Sequence, residues 1–182
     1  MHKRLVLDQE QIGIILRRFC HQLIENHDNF ENTVLLGLQP RGTILLDQLV
    51  PVLEEISGVK VLSGYLDATF HRDDFRRRDF PLKANETKID FLVEGKKVIL
   101  VDDVLYKGRS VRAAMDAMIA FGRPQKVELM VLVDRKLTRD YPIMPDYFGI
   151  RVNTLESQYV VVEWENQGQE KDAVWITEKV KS

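Results

Sequence analysis

One stretch, residues 96 to 134, limits the possible folds more than any other. KKVILVDDV is an apolar run with little polar alternation, which suits a strand covered on both faces. SVRAAMDAMIAFG then reads as a helix closed by Gly122 and Pro124, and VELMVLVD is a second buried run. Strand, loop, helix and strand in that order form a βαβ unit, so the two strands are parallel and the crossover is right-handed. The chain is therefore expected to be α/β, with a central, mainly parallel sheet flanked by helices.

The rest of the chain extends the pattern. Asp8 and Gln11 have the spacing of a capping box, and Ile12, Ile15, Leu16, Phe19 and Leu23 follow at helical spacing, predicting a helix over residues 9–25. TVLLGL (33–38) is another doubly covered strand, broken by QPRG. A second helix is expected from Thr43 towards Ser57, stopped by Gly58 and kinked or divided by Pro51. VKVLSGYLDATF reads as a strand or strand pair, and the charged HRDDFRRR after it as an exposed, mobile piece. From about residue 147 the short runs YVVVEW and AVWIT read as late strands or a small flap. A chain of 182 residues without repeats or a linker-like segment is expected to form one domain over 1–182.

Composition excludes several classes of function. The N-terminal MHKRLVLDQEQ has no apolar core of a leader, and no stretch approaches 18 uncharged apolar residues, so the expectation is a cytoplasmic protein without a membrane span. Cys20 is the only cysteine, which rules out an intrachain disulfide and a thiolate metal cluster; it is expected to be a buried packing residue. A net charge of -2 argues against coating nucleic acid through a global positive field, although a local basic patch would survive that average.

Ligands of an open α/β sheet bind beyond the carboxyl ends of its strands, which directs attention to the residues after VILV and VLLGL. After VILV come Asp102, Asp103, Val104, Leu105, Tyr106, Lys107, Gly108, Arg109 and Ser110, and then the helix. Amide groups at a helix N-terminus and the Ser110 hydroxyl make a site for a phosphate dianion; Gly108 allows close approach, and Lys107 and Arg109 add charge. A nucleoside triphosphatase reading fails because GxxxxGK[ST] is absent. Helix and turn capping needs one carboxylate here rather than two. Two carboxylates before a phosphate cradle suit a sugar phosphate, since they accept from ring hydroxyls and stabilise a ribosyl ring that becomes cationic. After VLLGL, Arg41 and Gly42 offer planar donors and a close backbone.

VILVDDVLYKGRS resembles the motif with which type I phosphoribosyltransferases bind phosphoribosyl pyrophosphate (PRPP). DATFHRDD, SVRAAMDAM, FGRP, VLVDR and the PI and DY of PIMPDY are similar to the PyrR family, bacterial pyrimidine-operon attenuators that are also uracil phosphoribosyltransferases. The resemblance runs from the first helix to about residue 153. It implies the type I phosphoribosyltransferase fold with a small hood or flap, the conversion of uracil and PRPP to UMP and pyrophosphate, Mg2+ bound with PRPP, and a homodimer or larger symmetric assembly.

By resemblance Asp102, Asp103 and Arg41 carry catalysis. Gly42, residues 104–110, Arg72 and Arg135 bind PRPP or nucleotide, Arg72 from a flap that also holds Arg76, Arg77 and Arg78, and Arg135 near the base-binding hood. Arg17, Arg18, His21 and Arg139 correspond to the messenger-RNA-facing residues.

The chain also departs from the family. KGRS stands where TGRT is usual, and Lys136, Leu137, Thr138 and Arg139 replace a Gly-His-Arg run with one residue inserted. Met144 and Ile150 replace basic residues, with Arg151 adjacent. The family uses some of these positions for messenger RNA, so the altered segment from Lys136 to Ile150 weakens the reading of an RNA-binding or nucleotide-sensing regulator with little turnover. That reading and a purine phosphoribosyltransferase, which would differ only in the hood, stand as alternatives.

Overall fold

The computed structural model describes residues 3–72, 85–136 and 139–178. Its centre is a five-stranded parallel sheet in the order β3-β2-β4-β5-β6, formed by β2 (Thr33–Leu38), β3 (Leu62–Leu66), β4 (Lys97–Leu105), β5 (Lys126–Arg135) and β6 (Tyr147–Val152). The expected βαβ unit is β4, α3 (Arg109–Met118) and β5, paired in parallel from Lys97 with Lys126 to Leu105 with Asp134. Strand periodicity sorts the apolar side chains. Ile99 and Val101 join the cluster under α1 (Gln9–His27) and α2 (Gly42–Ser57), while Val98 and Leu100 join the cluster under α3.

The capping box at the start of α1 is formed: Gln11 N–H donates to Asp8 Oδ1 at 2.9 Å, and Asp8 N–H to Gln11 Oε1 at 3.0 Å. Gly58 closes α2 in the left-handed region at φ 70°. Pro51 does not divide α2. The bond it cannot donate would have gone to the carbonyl of Asp47, and both residues are exposed, so water can take that acceptor. Residues 59–70 contain one strand, β3, rather than a pair, and a short 3-10 turn, Thr69–His71, follows it. Cys20 is buried.

The late apolar runs divide between two sheets. β6 completes the central sheet, whereas β7 (Gln158–Glu163) and β8 (Ala173–Glu178) pair antiparallel with each other, and β8 pairs with β1 (Lys3–Leu7). This three-stranded hood shares the core under α1 and α2 through Leu7, Val162, Trp164, Val174 and Ile176. Among the described residues no helix is long and apolar enough to cross a membrane.

Candidate active site

Parallel strands bring the ends of β2, β4 and β5 to one edge of the sheet. Alternation along β4 turns Asp102 and Asp103 to opposite faces at its carboxyl end. Asp103 is buried, 5% exposed, and receives Arg41 Nε at 2.5 Å, while a further Arg41 N–H donates to the carbonyl of Val162 in the hood. Arg41 therefore links the β2 loop, the acid pair and the hood. Gly42 beside it is obligatory, since a Cβ there would lie 2.2 Å from Val101 O and 3.0 Å from Asp102 Cα.

Asp102 Oδ1 accepts the Asp103 N–H at 2.9 Å. Burial first, and the neighbouring Asp103 carboxylate second, push the Asp102 pKa well above the ordinary aspartate range. A cleft of about 400 Å³ opens on Arg41, Arg72, Asp102, Asp103 and Ser110. An adjoining cavity of about 380 Å³ follows the loop from Val104 to Ser110 and also touches Arg72 and Asp102.

The loop expected to hold phosphate spans Tyr106 to Gly108, and α3 begins at Arg109. Gly108 at the N-cap has no side chain to cap this helix, and amides at such a start suit an anionic ligand. Gly108 has φ 86°, in the region that favours glycine, and a Cβ would press on Ile143 and Tyr141 at 3.3–3.6 Å. Arg72 donates to Ser110 Oγ at 3.2 Å, which places it at the helix start. Val104 is half-buried at the cleft, while Leu105 packs into the core at 2% exposure and lines the cavity beside the loop. Arg76, Arg77 and Arg78 lie outside the described residues.

Some expected residues have partners that the sequence did not reveal. Arg109 donates to Asp140 Oδ2 from Nε at 3.0 Å and Nη2 at 2.8 Å, and Lys107 Nζ lies 3.6 Å from the same oxygen. Arg135 is buried beneath the hood, bonded to Thr154 Oγ1 at 3.0 Å and Gln158 O at 3.1 Å, with its guanidinium 3.9 Å from the centre of the Tyr106 ring. Arg139 donates to Asp134 and to the carbonyl of Tyr106. Arg18 likewise holds the carbonyls of Phe148 and Gly149, at 3.0 and 2.6 Å. Arg18 remains exposed on α1 while it holds these carbonyls. Arg17 and His21 are exposed on α1, and Arg151 pairs with Asp134 at 3.0 Å.

The phosphoribosyl transferase domain family matches residues 4–167 of the chain. The Bifunctional protein PyrR of Desulfosudis oleivorans is 43% identical over 163 residues, covering 89% of this chain and 90% of the relative. That of Clostridium novyi is 41% identical over 177 residues, covering 97% and 98%. The chain belongs to the PyrR family of phosphoribosyltransferases. It is thus a pentosyltransferase of the type I fold.

Solved structures agree on the fold. The hypoxanthine phosphoribosyltransferase of Trypanosoma cruzi superposes with a TM-score of 0.73 at 13% identity, covering 97% of each chain. That of Staphylococcus aureus gives 0.70 at 14%, covering 98% of this chain and 92% of the other. Within the PyrR family frame, the residues missed by sequence reasoning are Asp140, Asp134 and the Val162 carbonyl. Asp140 sits in the departing segment after β5, and a backbone carbonyl carries no sequence signal.

Proposed function

We propose that the protein transfers the ribosyl group of PRPP to uracil, giving UMP and pyrophosphate. The observation that carries this reading is the pair Asp102 and Asp103, set where the Arg41 cleft meets the phosphate loop. With the 5-phosphate on the loop amides and Ser110, the ribose hydroxyls meet the two carboxylates, and the pyrophosphate extends towards Arg41 and Arg72. The bond from C1 to pyrophosphate oxygen breaks with its electron pair leaving on pyrophosphate. Uracil N1 forms the new bond to C1 and loses its proton, to which no side chain is assigned. The carboxylates favour the cationic ring, and closure of the site keeps water from it.

Mg2+ bound with PRPP fits this donor set, because the ion typically takes one or two carboxylates together with substrate phosphate oxygens. Asp102 and Asp103 would hold it, and a cation beside them would offset the burial and, after it, the neighbouring Asp103 charge that raise the Asp102 pKa. When bound, the ion supplies positive charge to the departing pyrophosphate. Among the described residues no group of three or more His, Cys, Asp or Glu is placed to hold a metal.

Kinship with PyrR supports uracil as the base and Arg135 as a residue of the base-side hood. It also supports a second role on a pyrimidine-operon messenger RNA leader, with exposed Arg17, Arg18 and His21 as contacts on α1. A homo-oligomer working in the cytoplasm completes the reading, with one domain over residues 1–182.

The deciding assay is pyrophosphate release from PRPP and Mg2+ with uracil, hypoxanthine, guanine, adenine or orotate supplied separately. Uracil-dependent release is the expected result. Release with a purine alone would overturn the base assignment, and silence with every base despite PRPP binding would favour a sensor.

The acid pair also sets a pH dependence. In the free enzyme Asp102 takes up its proton above the value of about 3.9 for an unperturbed aspartate. On acidification kcat/KM for PRPP is therefore expected to fall through an acid limb above that value. The effect on stability has the opposite sign: the folded state binds this proton more tightly than the unfolded state, so the contribution is lost as pH rises through the raised pKa. A kcat/KM profile with its acid limb at or below the ordinary aspartate value would contradict the assignment.

A further inference from the structure

The segment between β5 and β6 lies against the phosphate loop on the side of its carbonyls. Arg139, its side chain 17% exposed, donates one N–H to Tyr106 O and another to Asp134 Oδ1 at 2.5 Å. Asp140 N–H and Tyr141 N–H both donate to Lys107 O, at 3.0 and 3.3 Å. Tyr141 and Ile143 pack beside Gly108, where a Cβ would lie 3.3–3.6 Å from them. Two successive carbonyls of the loop are thus held by one strap.

Peptide planarity converts held carbonyls into aimed donors. In a trans peptide the C=O of one residue and the N–H of the next point in opposite directions. Holding the carbonyls of Tyr106 and Lys107 on the strap turns the N–H groups of Lys107 and Gly108 away from it, and these residues line the cavity of about 380 Å³. The strap settles in advance which way the loop donors face, which removes an ordering cost from anion binding.

We propose that Arg139 is a positioning residue for the phosphate loop, acting through the carbonyl of Tyr106 to aim amide donors at the sugar phosphate. This rests on reading Tyr106–Gly108 as the phosphate cradle. Asp134 has a second partner in Arg151 at 3.0 Å, so the buried carboxylate keeps a counter-charge when Arg139 is changed. The Tyr106 ring is separately stacked on Arg135, 3.9 Å away, so loss of Arg139 frees the carbonyl without releasing the side chain. A guanidinium fork reaches two acceptors from two nitrogens; a lysine ammonium has one nitrogen and does not hold both at the same geometry.

The test uses the full chain with ribose 5-phosphate as the probe, by calorimetry, together with steady-state kinetics and thermal midpoints. Arg139→Met is expected to raise the ribose 5-phosphate Kd and the PRPP KM about tenfold, with the KM of the accepted nucleobase at saturating PRPP within about twofold of the unmodified protein. Arg139→Lys is expected to fall between, and it decides the matter alone if Arg139→Met does not fold. Kd values within twofold of the unmodified protein for the folded variants would overturn the proposal, as would a rise in nucleobase KM equal to that for PRPP. Failure of the unmodified protein to bind ribose 5-phosphate overturns the cradle reading, and the positioning role with it; binding that the variants do not weaken overturns the positioning role alone.

Discussion

Asp102→Asn combined with Asp103→Asn is expected to lower kcat about a thousandfold while PRPP still binds. The substitution keeps the shape of both side chains, and the new amide at position 103 still offers Arg41 an oxygen where Asp103 Oδ2 lay 2.5 Å away. What disappears is negative charge at the end of β4, where a ribosyl ring becomes cationic. Removing one preorganised electrostatic group typically costs about a hundredfold to a thousandfold in kcat. Two adjacent groups that act together do not add independently, so the upper part of that range is the expectation. PRPP binding should persist because the loop amides and Ser110 are untouched. Single-turnover kinetics with a separate PRPP titration would check both statements, and turnover within tenfold of the unmodified protein would remove the acid pair from the mechanism.

Gly42→Ala is expected to destabilise the fold by about 2–3 kcal/mol, as overpacking commonly does, and to reduce kcat/KM at least about a hundredfold. The added methyl would sit 2.2 Å from Val101 O and 3.0 Å from Asp102 Cα, and these are backbone atoms of a central strand that cannot swing aside. The start of α2 must move instead and take Arg41 with it, away from Asp103 and Val162. Misplacement of a catalytic group by about 1 Å can cost a hundredfold in rate. Gly13→Ala in α1 is the control: nothing lies within 4 Å of the place its methyl would take, so it should be silent or stabilising by up to about 1 kcal/mol. Urea denaturation and steady-state kinetics on both variants provide the test, and a Gly42→Ala protein that matches the control would remove the steric role of Gly42.

Much of the site was legible because its chemistry is local. The residues from Asp102 to Ser110 follow one another at the end of β4, and a strand running directly into a helix forces them into one loop. The same holds for Arg41 and Gly42 between β2 and α2. Local pattern was less informative where a short segment depends on a distant partner. KRLVL carries no strong strand signal, yet it forms β1 because β8, from the opposite end of the chain, offers an open edge. Pro51 is a helix breaker by local rules, but its site in α2 is exposed and the helix continues through it.

Cations divided along the same line. Arg18 and Arg139 were read as RNA-facing from their correspondence to a family, since a guanidinium in sequence has no visible partner. In the fold each meets acceptors from a distant stretch: Phe148 and Gly149 for Arg18, Asp134 and Tyr106 for Arg139.

By itself the sequence determined the parallel α/β sheet and the run of residues from Asp102 to Ser110 that joins β4 to α3. Strand periodicity, helix caps and the order of residues around a turn are short-range properties that adjacent side chains and backbone dihedrals already decide. Only the tertiary structure decided which cation serves which anion, that the hood closes onto Arg41 through Val162, and that the strap after β5 holds the loop carbonyls. Those choices depend on which remote groups arrive within about 3 Å of each other when the core packs, and hydrogen-bond partners are selected at that range alone.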